Sequence, residues 1–107
     1  MGRLAYDKLI RDRIPEIIEG TGRTCGVEVM DEDTFVQYLE RKLLEEAREI
    51  ALATAEERVG EVADLLEVID ALIQVSGMTW DDVKAMQLDK RHKRGGFERR
   101  LRLLWTE

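Results

Sequence analysis

The sequence predicts a mainly α-helical domain that needs a second copy of itself to complete its core. Three features carry that prediction. Two long segments have the apolar spacing of helices, and helix-capping residues stand at their ends. The second segment also has an apolar arc wider than one neighbouring helix can cover. A chain of 107 residues with 44% hydrophobic and 37% charged content forms one domain, residues 1–107, small enough to gain from a partner.

The elements follow in order. Residues 4–14 mix apolar and charged side chains with weak period. Pro15 pre-sets the backbone for a short helix over residues 15–19, with Ile14 extended before it and Gly20 as the stop. Residues 24–30 alternate Cys25, Val27 and Val29 against Thr24, Gly26 and Glu28, the pattern of a short strand. The tail alternates Leu101, Leu103 and Trp105 with Arg100, Arg102 and Leu104 and reads as its partner. This gives a short two-stranded β element from residues 24–30 and 100–105.

Residues 31–34 offer several N-caps for a long helix running from about 34 to 53. Its apolar stripe is Phe35, Val36, Leu39, Leu43, Ala47 and Ile50. Glu46 falls at the stripe's edge and Glu49 beside it, while Glu40, Arg41 and Arg48 point to solvent. Thr54 caps a second helix reaching about Ser76, with Gly77 as its C′ residue. Val62, Leu65, Leu66, Val68, Ile69, Leu72, Ile73 and Val75 form the wide arc, which dimerisation into a four-helix bundle would cover. Glu61 and Asp64 lie inside that arc, whereas Glu67 and Asp70 fall on the polar side. Thr79 with Asp82 makes a capping box for a third long helix beginning near Trp80 and ending before Gly95-Gly96.

Charge is unevenly distributed. Residues 31–82 carry 15 acidic and 4 basic side chains, and the remainder carries 13 basic and 8 acidic. The net charge of −6 argues against a binder of nucleic-acid polymers or anionic membranes. No apolar run approaches a membrane span, the N-terminus lacks a signal-peptide pattern, and a reducing cytoplasm is expected. One cysteine, Cys25, rules out an internal disulfide; with one histidine it also rules out a Cys/His zinc site. Cys25 reads as a small buried or half-buried side chain, His92 as exposed, and Trp80 and Trp105 as packing residues.

The chemistry concentrates in residues 45–70. Glu46/Glu49 and Glu61/Asp64 are two acidic pairs, each three residues apart and so on one helix face. Folding the helices back on each other brings four carboxylates together, which repel unless a cation lies among them. Oxygen donors alone select a hard ion, Mg²⁺ or Mn²⁺. An acidic pair at helical spacing is most often a solvated face, and the wheel position of Glu61 and Asp64 is what raises the metal reading. Glu45 is a fifth ligand, a base or a surface charge. Lys90, Arg91 and Arg94 before two glycines suit a helix C-terminus or a phosphate clamp, and Lys8, Arg11 and Arg13 a second clamp or plain surface.

Glu45-Glu46-x-x-Glu49 followed by Glu61-x-x-Asp64 resembles the EExxE…ExxD signature of the MazG-like all-α nucleoside triphosphate pyrophosphohydrolases. Tyr6-Asp7-Lys8-Leu9-Ile10-Arg11-Asp12-Arg13-Ile14-Pro15-Glu16 resembles the opening of a short single-domain house-cleaning branch. Lys90-Arg91-x-x-Arg94-Gly95-Gly96-Phe97 resembles its closing motif. The 11 residues between Glu49 and Glu61 are at the short end for that superfamily and imply a tight connection.

The resemblance implies a MazG-like helical bundle, assembled as a homodimer or homotetramer. It also implies Mg²⁺-dependent cleavage of a nucleoside triphosphate between its α and β phosphates, giving a monophosphate and pyrophosphate. Glu46, Glu49, Glu61 and Asp64 would hold the metal, with Mn²⁺ as a substitute. Glu45 or Glu49 would accept the water proton, and Lys8, Arg11, Lys90, Arg91 and Arg94 would bind phosphates. The alternatives are a phosphoribosyl-ATP pyrophosphohydrolase, which cuts the same bond, and a non-catalytic helical dimer that binds nucleotide or protein.

Overall fold

The computed structural model describes residues 2–107, and among them four helices and no strand: α1 (Ile14–Gly20), α2 (Glu32–Leu52), α3 (Arg58–Val75) and α4 (Trp80–Arg94). The fold is mainly α, as the apolar spacing predicts. Among the described residues no helix is long and apolar enough to cross a membrane.

The capping residues set the boundaries. Asp31 accepts a hydrogen bond from the Thr34 amide at 2.8 Å, so α2 begins two residues earlier than expected. That bond also holds the Asp31 carboxyl below its ordinary pKa. Thr54 and Glu57 cap each other: Glu57 Oε1 accepts from the Thr54 amide and hydroxyl, and Thr54 Oγ1 accepts from the Glu57 amide. The first turn after Thr54 is therefore ordered, while regular α3 starts only at Arg58. At the other end of α3 the Met78 amide donates to Ile73 O and the Gly77 amide to Gln74 O, a Schellman stop that needs Gly77 at φ 75°. The Thr79/Asp82 capping box opens α4 as predicted.

Three expectations are corrected. Residues 24–30 and 100–105 form no strand. Alternation alone gives a strand two faces and no ladder partner, and a lone two-stranded ribbon is marginal in water. Arg100 at φ 57° breaks the tail where the second strand would begin, and Val29, Leu103 and Trp105 stay exposed. Ile14 is helical rather than extended, tied into a turn by its amide donating a hydrogen bond to Arg11 O, and α1 continues through Gly20 until Gly22 takes the left-handed position. Cys25 is exposed, because no strand forms to carry it against a core.

α2 and α3 pack as a helical hairpin across the connection from Ala53 to Glu57, the most extensive packing in the chain. The enclosed core is small: Leu39 from α2 with Val68 and Ile73 from α3. Val59, Val62 and Leu66 on α3, and Leu44 and Leu52 on α2, remain exposed. The radius of gyration is 18.6 Å, against about 13 Å for a compact chain of roughly 100 residues. The N-terminal segment lies against the hairpin, fixed by Tyr38 donating to Asp7 at 2.5 Å and Arg11 donating to Asp64 at 2.7 Å.

Asp70, placed in solvent by the helix wheel, is half-buried. It accepts hydrogen bonds from Trp80 Nε1 at 2.6 Å and Gln74 Nε2 at 2.9 Å, and so fastens the start of α4 to α3. Replacing Asp70 by Ala should cost about 1 kcal/mol, the worth of a partly exposed hydrogen bond to a charged group. Glu67→Ala should stay within about 0.5 kcal/mol. Urea denaturation of the two variants measures the difference, and equal losses would remove Asp70 from this role.

Candidate metal centre

The α2–α3 hairpin brings Glu46, Glu61 and Asp64 together, with one carboxylate oxygen from each lying within 4.8 Å of the others. Local sequence explains the convergence. Glu46 stands two turns after Leu39, the most enclosed apolar residue, so its side chain follows the packed stripe inward. Asp64 is one turn before Val68 on α3 and meets the same interface. Glu46 is the one buried charged side chain among the described residues, at 8% exposure; Glu61 and Asp64 are half-buried.

Two cations offset part of this negative charge. Lys42 Nζ lies 3.5 Å from Glu46 Oε1, one helical turn away, and Arg11 Nη2 lies 2.7 Å from Asp64 Oδ1. Among the described residues Glu61 has no such partner. Partial burial pushes its carboxyl pKa up first, and the charges of Glu49, Asp64, Glu46 and Glu57 add to the shift. Glu49 is exposed and outside the close triad, yet it acts on Glu61 more strongly than any other carboxylate. Three oxygen donors converging from two helices, one of them uncompensated, suit a hard divalent cation.

The remaining sequence-derived residues divide into two groups. Lys8 and Glu45 line a cleft of about 140 Å³ between the N-terminal segment and α2, together with Asp7, Leu9, Tyr38, Arg41 and Lys42. Lys42 belongs to both places, since it also touches Glu46, so the cleft adjoins the carboxylate triad. Lys90, Arg91 and Arg94 sit in the closing turns of α4, where Arg91 pairs with Glu98 across the Gly95-Gly96 turn. Among the described residues no ion pair joins them to the triad. Lys42 and Arg41 are additions to the candidate site residues, and Arg41 is exposed as its helix position predicts. The spacing of Lys42 to Glu46 (i, i+4) and Tyr38 to Arg41 (i, i+3) is the signal that marks them.

No family model matches the chain, and no solved structure matches it. A stretch of 46 residues is 41% identical to an uncharacterized protein of Mycolicibacterium smegmatis, covering 43% of this chain and 47% of that protein. The match thus spans about half the length of the relative.

The crowding of Glu61 has a measurable sign. Its folded-state pKa is raised, so the folded chain binds the proton more tightly than the unfolded chain does. In metal-free buffer, stability should therefore fall as pH rises from the ordinary glutamate range through the raised value, and return on acidification. Glu61→Gln should raise the melting temperature at neutral pH in EDTA and flatten this dependence. A variant that melts lower than the parent in EDTA would show that the carboxylates do not strain one another.

Proposed function

We propose that this protein is a Mg²⁺-dependent nucleoside triphosphate pyrophosphohydrolase of the cytoplasm that clears nucleotides from the pool by cutting between the α and β phosphates. The observation carrying this reading is the convergence of Glu46, Glu61 and Asp64 from two helices within 4.8 Å. The acidic-pair motifs around these residues add to it.

Glu46, Glu61 and Asp64 would hold the ion, with Glu49 next to Glu61 completing the set. When bound, Mg²⁺, or Mn²⁺ as a substitute, supplies charge neutralisation to the triphosphate and a lowered pKa to an attacking water. The water oxygen forms a bond to the α phosphorus while the bond from that phosphorus to the bridging oxygen breaks. The products are a nucleoside monophosphate and pyrophosphate. Glu45 or Glu49, both exposed on α2, would take the water proton.

Arg11 bonds Asp64 through one guanidinium nitrogen and has further N–H groups to offer a phosphate. Lys8 faces the adjoining cleft. Lys90, Arg91 and Arg94 form a second basic group on α4 for the phosphates. The exposed α3 face of Val59, Val62 and Leu66, which borders an open apolar groove with Ala63, is covered in this reading by a second copy, giving a homodimer or homotetramer.

Pyrophosphate release from a panel of nucleoside triphosphates, with and without Mg²⁺, is the direct test. Glu61→Gln should reduce turnover by about 100-fold or more, since even loss of a residue supporting a metal ligand costs about 10–100-fold. Glu67→Gln should be nearly silent. Absence of turnover on every nucleotide, with no Mg²⁺-induced rise in melting temperature, would refute the enzyme reading. In sedimentation the chain should run as a dimer or tetramer at micromolar concentration, and Val62→Asp should shift it toward monomer; a stable monomeric parent overturns the assembly.

A further inference from the structure

We propose that the cleft between the N-terminal segment and α2 is an anion subsite that receives the two leaving phosphates, with Lys8, Arg41 and Lys42 as its binding groups. The inference rests on the pyrophosphohydrolase reading and adds the location of the leaving group.

Charge gives the sign of the ligand. Lys8, Arg41 and Lys42 face the cleft against two carboxylates, Asp7 and Glu45. Asp7 is already engaged as acceptor for the Tyr38 hydroxyl at 2.5 Å. Lys42 is shared with Glu46. Among the described residues Lys8 and Arg41 have no carboxylate partner: Lys8 Nζ lies 5.5 Å from the centre of the Tyr6 ring, and the Arg41 guanidinium lies 4.6 Å from the centre of the Tyr38 ring. A guanidinium resting on a ring face keeps its N–H donors in its own plane, where a phosphate oxygen can meet two at once.

Size gives the class. A space of about 140 Å³ holds a small anion, whereas sites for molecules the size of a nucleoside run to roughly 300 Å³ and above. Position gives the role. Lys42 lines the cleft and its Nζ lies 3.5 Å from Glu46 Oε1, so the cleft adjoins the triad. A phosphate chain whose α phosphorus lies at the triad would pass Lys42 into the cleft. The Tyr38–Asp7 hydrogen bond holds the N-terminal segment against α2 and so keeps Lys8 opposite Arg41.

The test is calorimetric titration of the full-length protein with inorganic pyrophosphate in the presence of Mg²⁺, beside inorganic phosphate and a nucleoside without phosphates. The parent should bind pyrophosphate, bind phosphate more weakly and show no heat with the nucleoside. Arg41→Ala and Lys8→Ala should each weaken pyrophosphate binding about tenfold, the effect of losing one hydrogen bond to a charged group. Both side chains are exposed, so neither change opens the core. Arg48→Ala, an equal loss of charge elsewhere on α2, should leave binding unchanged. Equal loss in Arg48→Ala and Arg41→Ala, or unchanged binding in both Arg41→Ala and Lys8→Ala, overturns the subsite. Nucleotide turnover insensitive to Arg41 would leave the hydrolase standing and remove the subsite. Arg41-dependent pyrophosphate binding without turnover on any nucleotide would keep the anion cleft and remove the hydrolase.

Discussion

Mutual repulsion among Glu46, Glu61 and Asp64 is the constraint on which the centre of this molecule depends. Each carboxylate stands where its helix turns toward the hairpin interface, so packing Leu39 against α3 forces the acids together. A buried carboxylate without compensation costs several kcal/mol. Lys42 reduces that cost for Glu46 from within the same helix, and Arg11 does so for Asp64 from the far end of the sequence. The result is a cluster partly neutralised by the chain itself, with the Glu61 carboxyl pKa raised by partial burial and by its acidic neighbours.

Both ties of the N-terminal segment, Tyr38 to Asp7 and Arg11 to Asp64, end at or beside this site. The Arg11–Asp64 pair is about half exposed on each side, and pairs of that kind contribute little to stability. The segment is thus positioned by polar contacts rather than clamped by packing, with only Leu9 and Ile10 partly covered. Regions held in this way open at lower free energy than the core.

Much of the helical frame was legible in the sequence because it is local information. Capping at Thr54, Gly77 and Thr79 depends on neighbours three or four residues away, and the apolar stripe of α2 depends on a fixed angular step. The same periodicity pointed to Glu46, Glu61 and Asp64. What the sequence hid is contact between distant segments. Nothing in the spacing of Asp70 shows that the Trp80 indole folds back onto it, nor that Asp7 meets Tyr38 and carries Lys8 to Arg41. The strand readings failed for the related reason that alternation describes one segment, whereas a strand exists only with a partner.

The small enclosed core has a consequence for the hydration thermodynamics of folding. Unfolding an ordinary domain raises the heat capacity by about 12–15 cal/mol/K per residue, chiefly through apolar surface newly exposed to water. A lone copy of this chain already exposes Val59, Val62, Leu66, Leu101 and Trp105 when folded, so less apolar surface remains to be uncovered. Its heat-capacity increment should be small, its denaturant slope shallow, and its stability a flat function of temperature. Covering the α3 face with another chain would restore the curvature, making the shape of the stability curve, as well as its height, depend on protein concentration.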